Sequence, residues 1–123
     1  MRKIILTLEH LPPSELNPNR LRSEHWSVRH KATNEAKTEI GWIAKVQWHD
    51  APPMQKARIS YEFHVKDHRK RDLDNLLSAC KAYQDGLIEV GVMFYDDAAH
   101  LEIGSVKMIQ DTEDKTVITV EEI

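Results

Sequence analysis

The stretch Lys66-Asp67-His68-Arg69-Lys70-Arg71-Asp72-Leu73-Asp74-Asn75-Leu76-Leu77 decides how the rest of the chain is read. Just before it, Ile59, Tyr61, Phe63 and Val65 alternate with Arg58, Ser60, Glu62 and His64, the period of a half-buried strand. Just after it, Leu73, Leu76, Leu77, Cys80, Tyr83 and Leu87 fall at helical spacing. A dense cationic run therefore meets an Asp-x-Asp pair where a strand gives way to a helix. In extended chain, residues two apart project to the same side, roughly 6.6 Å apart. Asp72 and Asp74 can then converge on one divalent cation, which takes hard oxygen ligands. Basic residues beside such a pair suit a polyanion cut or transferred at phosphate.

Outward from this junction, the pattern predicts strands over residues 3–8, 56–65, 100–109 and 115–121 and a helix over 26–47. Ala32, Ala36, Ile40, Ile43 and Ala44 form the apolar side of that helix. Gly41 costs it about 1 kcal/mol relative to alanine, so packing must hold it. Pro12-Pro13 and Pro52-Pro53 are breaks. Asp85-Gly86 supplies an end signal for the second helix, and residues 87–95 read equally as a helix extension or a short strand. The last two strands flank the polar turn Asp111-Thr112-Glu113-Asp114, the pattern of a hairpin. The order β-α-β-α-β-β indicates an α+β domain over 1–123, a mixed sheet with two main helices packed on one face.

With 123 residues, the chain is of single-domain size and long enough to bury about two-thirds of its unfolded surface. No apolar run reaches membrane-span length, and the apolar start is too quickly followed by charge for a signal peptide. One cysteine, Cys80, rules out an intrachain disulfide and fits a reducing cytoplasm. On the apolar side of its helix, it reads as a core residue. A net charge of −3 argues against a polyanion binder, but its distribution argues for one. Residues 1–71 hold 14 Lys and Arg against 8 Asp and Glu, whereas residues 72–123 hold 3 against 12.

Each candidate has a plainer reading beside it. An aspartate before a helix is a common N-cap, and acids suit the positive end of the helix dipole. The cationic run His68-Arg69-Lys70-Arg71 and a second acidic pair, Asp96-Asp97, shift the balance toward a metal-dependent phosphodiesterase. His68, Arg69, Lys70 and Arg71 would hold phosphates without reading base sequence. Arg20 and Arg29 flank Trp26 in a second basic segment, fit either for DNA contact and base stacking or for a loop with Trp26 in the core. Seven histidines without a ligand pattern do not make a zinc site, and no phosphate-binding glycine loop or calcium loop is present.

Arg71-Asp72-Leu73-Asp74-Asn75-Leu76-Leu77, followed some twenty residues later by Tyr95-Asp96-Asp97 and preceded by Pro12-Pro13-Ser14, resembles the RusA-like Holliday-junction resolvases. The resemblance implies a RusA-like α+β homodimer that binds four-way or branched DNA in a bacterial or phage-infected cytoplasm, as a phage- or prophage-borne gene product often would. It implies paired symmetric nicks with Mg2+ or Mn2+ as cofactor, and roles in recombination and repair. The family's three acids fall on Asp72, Asp74 and Asp97. Its usual lysine, three residues after the Asn, falls on Ser78; Lys81, one turn further on, is the candidate to replace it. A catalytically inactive junction-binding protein is the alternative that Ser78 raises.

Overall fold

The computed structural model describes residues 1–17 and 26–123, and Arg20 lies outside the described residues. Strand β1 (Lys3–Leu8) leads through a single 3-10 turn (Ser14–Leu16) toward the long helix α1 (Trp26–Trp48). Strand β2 (Ala57–Val65), helices α2 (Leu73–Ala79) and α3 (Lys81–Glu89), and strands β3 (Leu101–Gln110) and β4 (Lys115–Glu122) follow. Ile4, Leu6 and Leu8 of β1 and Ala57, Ile59, Tyr61, Phe63 and Val65 of β2 are buried, as alternation requires. All of these but Val65 share one core with Ala36, Ile40 and Ala44 of α1, Tyr83 and Leu87 of α3, and Ile118 and Val120 of β4. The α+β class, with a mixed sheet and the main helices on one face, is borne out.

The expected hairpin does not form. The sheet order is β1-β4-β2-β3, so β2 lies between β3 and β4, antiparallel to β4 and parallel to β3. The reason is apolar content: β2 buries five side chains and takes a central place, whereas no residue of β3 is fully buried and it takes an edge. The turn at 111–114 consequently passes over the end of β2. The Val65 carbonyl accepts from the Asp111 N–H (2.9 Å) and from Gln110 Nε2 (3.0 Å). The Lys66 N–H donates to Asp114 Oδ1 at 2.9 Å. These bonds satisfy the strand end at the point where the cationic run leaves it.

The second helix is also corrected. It breaks at Cys80 into α2 and α3, which pack separately. Asp85-Gly86 does not end it; Gly86 sits buried inside α3, pressed on α1. A Cβ there would stand 2.5 Å from Ile40 Cγ2 and 3.0 Å from the Lys37 backbone, so only glycine lets the two helices approach this closely. The helix ends at Glu89, and Gly91 takes the left-handed φ of +83°. Gly91 N–H donates to Ile88 O (3.0 Å) and Val92 N–H to Leu87 O (2.9 Å), the paired bonds of a Schellman ending. Residues 87–95 are thus a helix end and a turn, with one parallel bridge between Met54 and Met93.

Candidate active site

The run that leaves β2 is shaped by one carboxylate. Asp67 accepts from Arg71 at 2.7 and 3.1 Å, from the Arg69 N–H at 3.2 Å, and pairs with Arg69 Nε at 3.3 Å. Arg71, Arg69 and that backbone bond together bring the Asp67 carboxyl down to about 2. The Arg71 side chain is only 12% exposed and turned inward, whereas His68, Arg69 and Lys70 are exposed. The run is not helical, so the i,i+4 spacing of Asp67 and Arg71 gave no sequence signal for this clamp.

Asp72 is the N-cap of α2: its backbone is extended, and its Oδ1 accepts the Asp74 N–H at 2.9 Å. Helix begins at Leu73, so Asp74 lies in the first helical turn, and the Asp-x-Asp pair is not extended chain. Both carboxylates are exposed at the positive end of the helix. Beside Asp72 opens a cleft of about 470 Å³, lined by Pro12, Asn17, Arg69, Lys70, Asp72 and Asn75 among others, but not by Asp74. The early Pro-Pro-Ser loop and the Asp72–Asn75 segment, far apart in sequence, form its two walls.

The later acidic pair is placed differently. Asp97 Oδ1 accepts from His100 Nδ1 (2.6 Å) and from the Ala99 N–H (3.1 Å), and its carbonyl accepts from the N–H groups of His100 and Leu101. His100 is the main cause of the lowered Asp97 pKa. Lys81 bonds Asp85 at 2.7 Å and also Asp96, so the acid that meets the candidate lysine is Asp96. Burial works against the Lys81 charge, but Asp85 and Asp96 outweigh it and raise its pKa. Ser78 is exposed on α2.

Among the described residues, no three His, Cys, Asp or Glu side chains stand close enough to hold a metal ion. Asp72 and Asp74 stand at the start of α2, whereas Asp97 lies in the loop between α3 and β3. The intervening α2 has seven residues, about 10 Å of helix. A magnesium ion, however, is commonly held by one or two carboxylates completed by substrate phosphates and water. The Asp72–Asp74 pair fits that donor set. Arg29 and Trp26 lie on the exposed first turns of α1, with Trp26 71% exposed and edge-on to His30, so the core reading of Trp26 does not hold.

The family model for the endodeoxyribonuclease RusA matches residues 11–121, nearly the whole chain. The chain belongs to the RusA endodeoxyribonuclease family. The match covers both walls of the cleft and the Asp96-Asp97 pair together. RusA nucleases act on Holliday-junction DNA, and the cleft of this chain, whose net charge is −3, carries Arg69, Lys70 and Arg71. Comparison with curated proteins gave no match. No described helix is long and apolar enough to cross a membrane.

Proposed function

We propose that this RusA-family protein is a divalent-metal-dependent resolvase that cuts four-way DNA junctions by paired nicks in opposing strands. One observation carries the reading: Asp72, the N-cap of a helix whose first turn holds Asp74, lines a cleft together with Arg69 and Lys70. His68, Arg69 and Lys70 grip the phosphate backbone, and Arg71 holds the run in register through Asp67. Arg29, on the first turn of α1, extends the DNA contact, and Arg20 is assigned to it from the sequence alone. Asp72 and Asp74 would hold Mg2+ or Mn2+ against the scissile phosphate, and Asp97 is the third carboxylate that the family pattern assigns. When bound, the metal polarises the phosphate and lowers the pKa of the attacking water. Lys81 supplies positive charge from the start of α3 toward the developing charge on phosphate. Two symmetric nicks need two sites, so the working unit is a homodimer.

The test is cleavage of a labelled four-way junction beside a linear duplex of matched sequence, with magnesium, manganese or chelator. Wild type should nick opposing strands of the junction alone and lose activity with chelator. Asp72→Asn should bind the junction with unchanged affinity and cut about 100- to 1,000-fold more slowly. A junction bound but left uncut under both metals would favour the second reading, an inactive junction-binding protein. Ser78 at the lysine position, with Lys81 tied to Asp85 and Asp96, is the observation behind that reading.

A further inference from the structure

Between α3 and β3 the chain turns from core to surface within four residues. Val92 and Met93 are fully buried, whereas the next two side chains, Phe94 and Tyr95, are 40% and 52% exposed. Their backbone is anchored: Met54 N–H donates to Val92 O (2.8 Å), and Phe94 N–H donates to Met54 O (3.0 Å). The two rings meet edge to face with centroids 4.4 Å apart. His100 closes the group, 5.3 Å from Tyr95 and 5.9 Å from Phe94. It also bonds Asp97 at 2.6 Å, so the rings are coupled to an acid of the proposed site through one imidazole.

Two large rings held in water by an anchored backbone leave apolar area unburied that the neighbouring core residues do bury. Their setting selects the occupant. They precede Asp96-Asp97 directly, and Asp96 meets Lys81, which is separated from Asp72 by α2, a helix about 10 Å long. Nucleotides rise by about 3.4 Å along a duplex axis and spread further where bases unstack, so a helix of that length matches only a few nucleotides. A ligand that reaches from a phosphate in the cleft to the rings is a nucleic-acid strand, and the part of it that matches an aromatic face is a base. Paired and stacked bases of a linear duplex offer no free face; bases at a branch point do.

We propose that Phe94 and Tyr95, braced by His100, form a stacking platform for a base unpaired at the branch point of bound DNA. The platform would favour branched over linear DNA, and the proposal rests on the DNA-cutting reading above. It is tested by titrating wild type, the Phe94→Leu/Tyr95→Leu double variant and Tyr95→Trp, with chelator present so that nothing is cut. The DNA is a four-way junction with 2-aminopurine at the crossover, or a linear duplex with the same label. Wild type should change the fluorescence of the junction label and leave the duplex label unchanged. The double variant should lose that change and bind the junction about 5- to 150-fold more weakly, with duplex affinity within about twofold. Tyr95→Trp, which keeps a ring, should retain both signals and guards against a folding defect in the double variant. A crossover label that wild type leaves unchanged, or that the double variant changes equally, would overturn the platform while leaving the DNA reading intact. The platform is overturned as well if the double variant alters oligomeric state with the fluorescence change intact, since the rings would then be a contact between copies. Wild type that binds neither DNA would instead sink the reading on which the platform rests.

Discussion

Where α3 lies on α1, small and apolar side chains from distant parts of the chain fill the space: Ala36, Ile40 and Ala44 against Tyr83, Gly86 and Leu87, over Ile59 and Phe63 of the sheet. Around the proposed site the bonds are of another kind. Asp67 to Arg71, Asp72 to Asp74, Lys81 to Asp85 and Asp97 to His100 each span four residues or fewer and lie near the surface. Long-range burial sets the stability of the fold, whereas exposed local pairs contribute little to it. What the local pairs do is fix single side chains: a carboxylate over a helix end, a guanidinium inside a loop, an imidazole against two rings. The rim should therefore be open to substitution without unfolding, and the helix interface should not.

Gly86→Val tests the harsher half of that comparison. Its Cβ would collide with Ile40 and with the backbone of Lys37, which cannot rotate away. Overpacking of this kind should lower stability by about 2–3 kcal/mol, seen as a lower urea midpoint at unchanged slope. The Phe94→Leu/Tyr95→Leu variant should stay within about 1 kcal/mol of wild type in the same assay. Equal losses in both would show that the rings belong to the core after all.

Much of this division could be read from the sequence, and the gaps have physical causes. Alternation located β1 and β2 because one face of each is buried and the other is not. The same reasoning failed on the β3–β4 pairing, since period-2 patterns identify strands but carry no information on which neighbour each strand takes. Gly86 read as a stop because glycine ends helices far more often than it packs them, and only the partner helix distinguishes the two uses. At the site, Asp72-Leu73-Asp74-Asn75 and the basic run were visible as a motif. The inward turn of Arg71 and the link from Asp97 to His100 were not, because side-chain pairing depends on local backbone geometry.

Asp72 joins the two halves of the comparison, since one carboxylate caps α2 and carries the charge of the proposed metal site. Substitution can separate these roles. Asparagine caps a helix about as well as aspartate, whereas alanine does not. Asp72→Asn should leave the urea midpoint close to wild type, and Asp72→Ala should cost about 1 kcal/mol. Both should abolish most cleavage. If the asparagine variant proves as unstable as the alanine one, the charge of Asp72 matters to the fold itself, and the helix dipole carries more of the α2 start than the cap does.

The smallest expected effect lies on the core side, where a surface pair does cross a long stretch of chain. His10, just past β1, places Nε2 at 2.8 Å from both carboxylate oxygens of Glu39 on α1, and Nδ1 at 2.7 Å from the Leu11 carbonyl. Acceptors on both ring nitrogens call for the doubly protonated ring. Burial opposes that charge, but the Leu11 carbonyl and Glu39 outweigh it, and the His10 pKa is raised above its ordinary 6.5. A raised folded-state value means that the stabilisation is fully present below about pH 6.5 and is lost as pH rises through the folded value. Both side chains are more than a third exposed, so solvent screening limits the effect to a few tenths of a kcal/mol. The difference in urea midpoint between wild type and Glu39→Gln should therefore be greatest at about pH 5.5 and shrink steadily by about pH 8.5. A difference that stays constant over that range would mean that His10 meets Glu39 as a neutral hydrogen-bond donor, and that this tie between β1 and α1 owes nothing to charge.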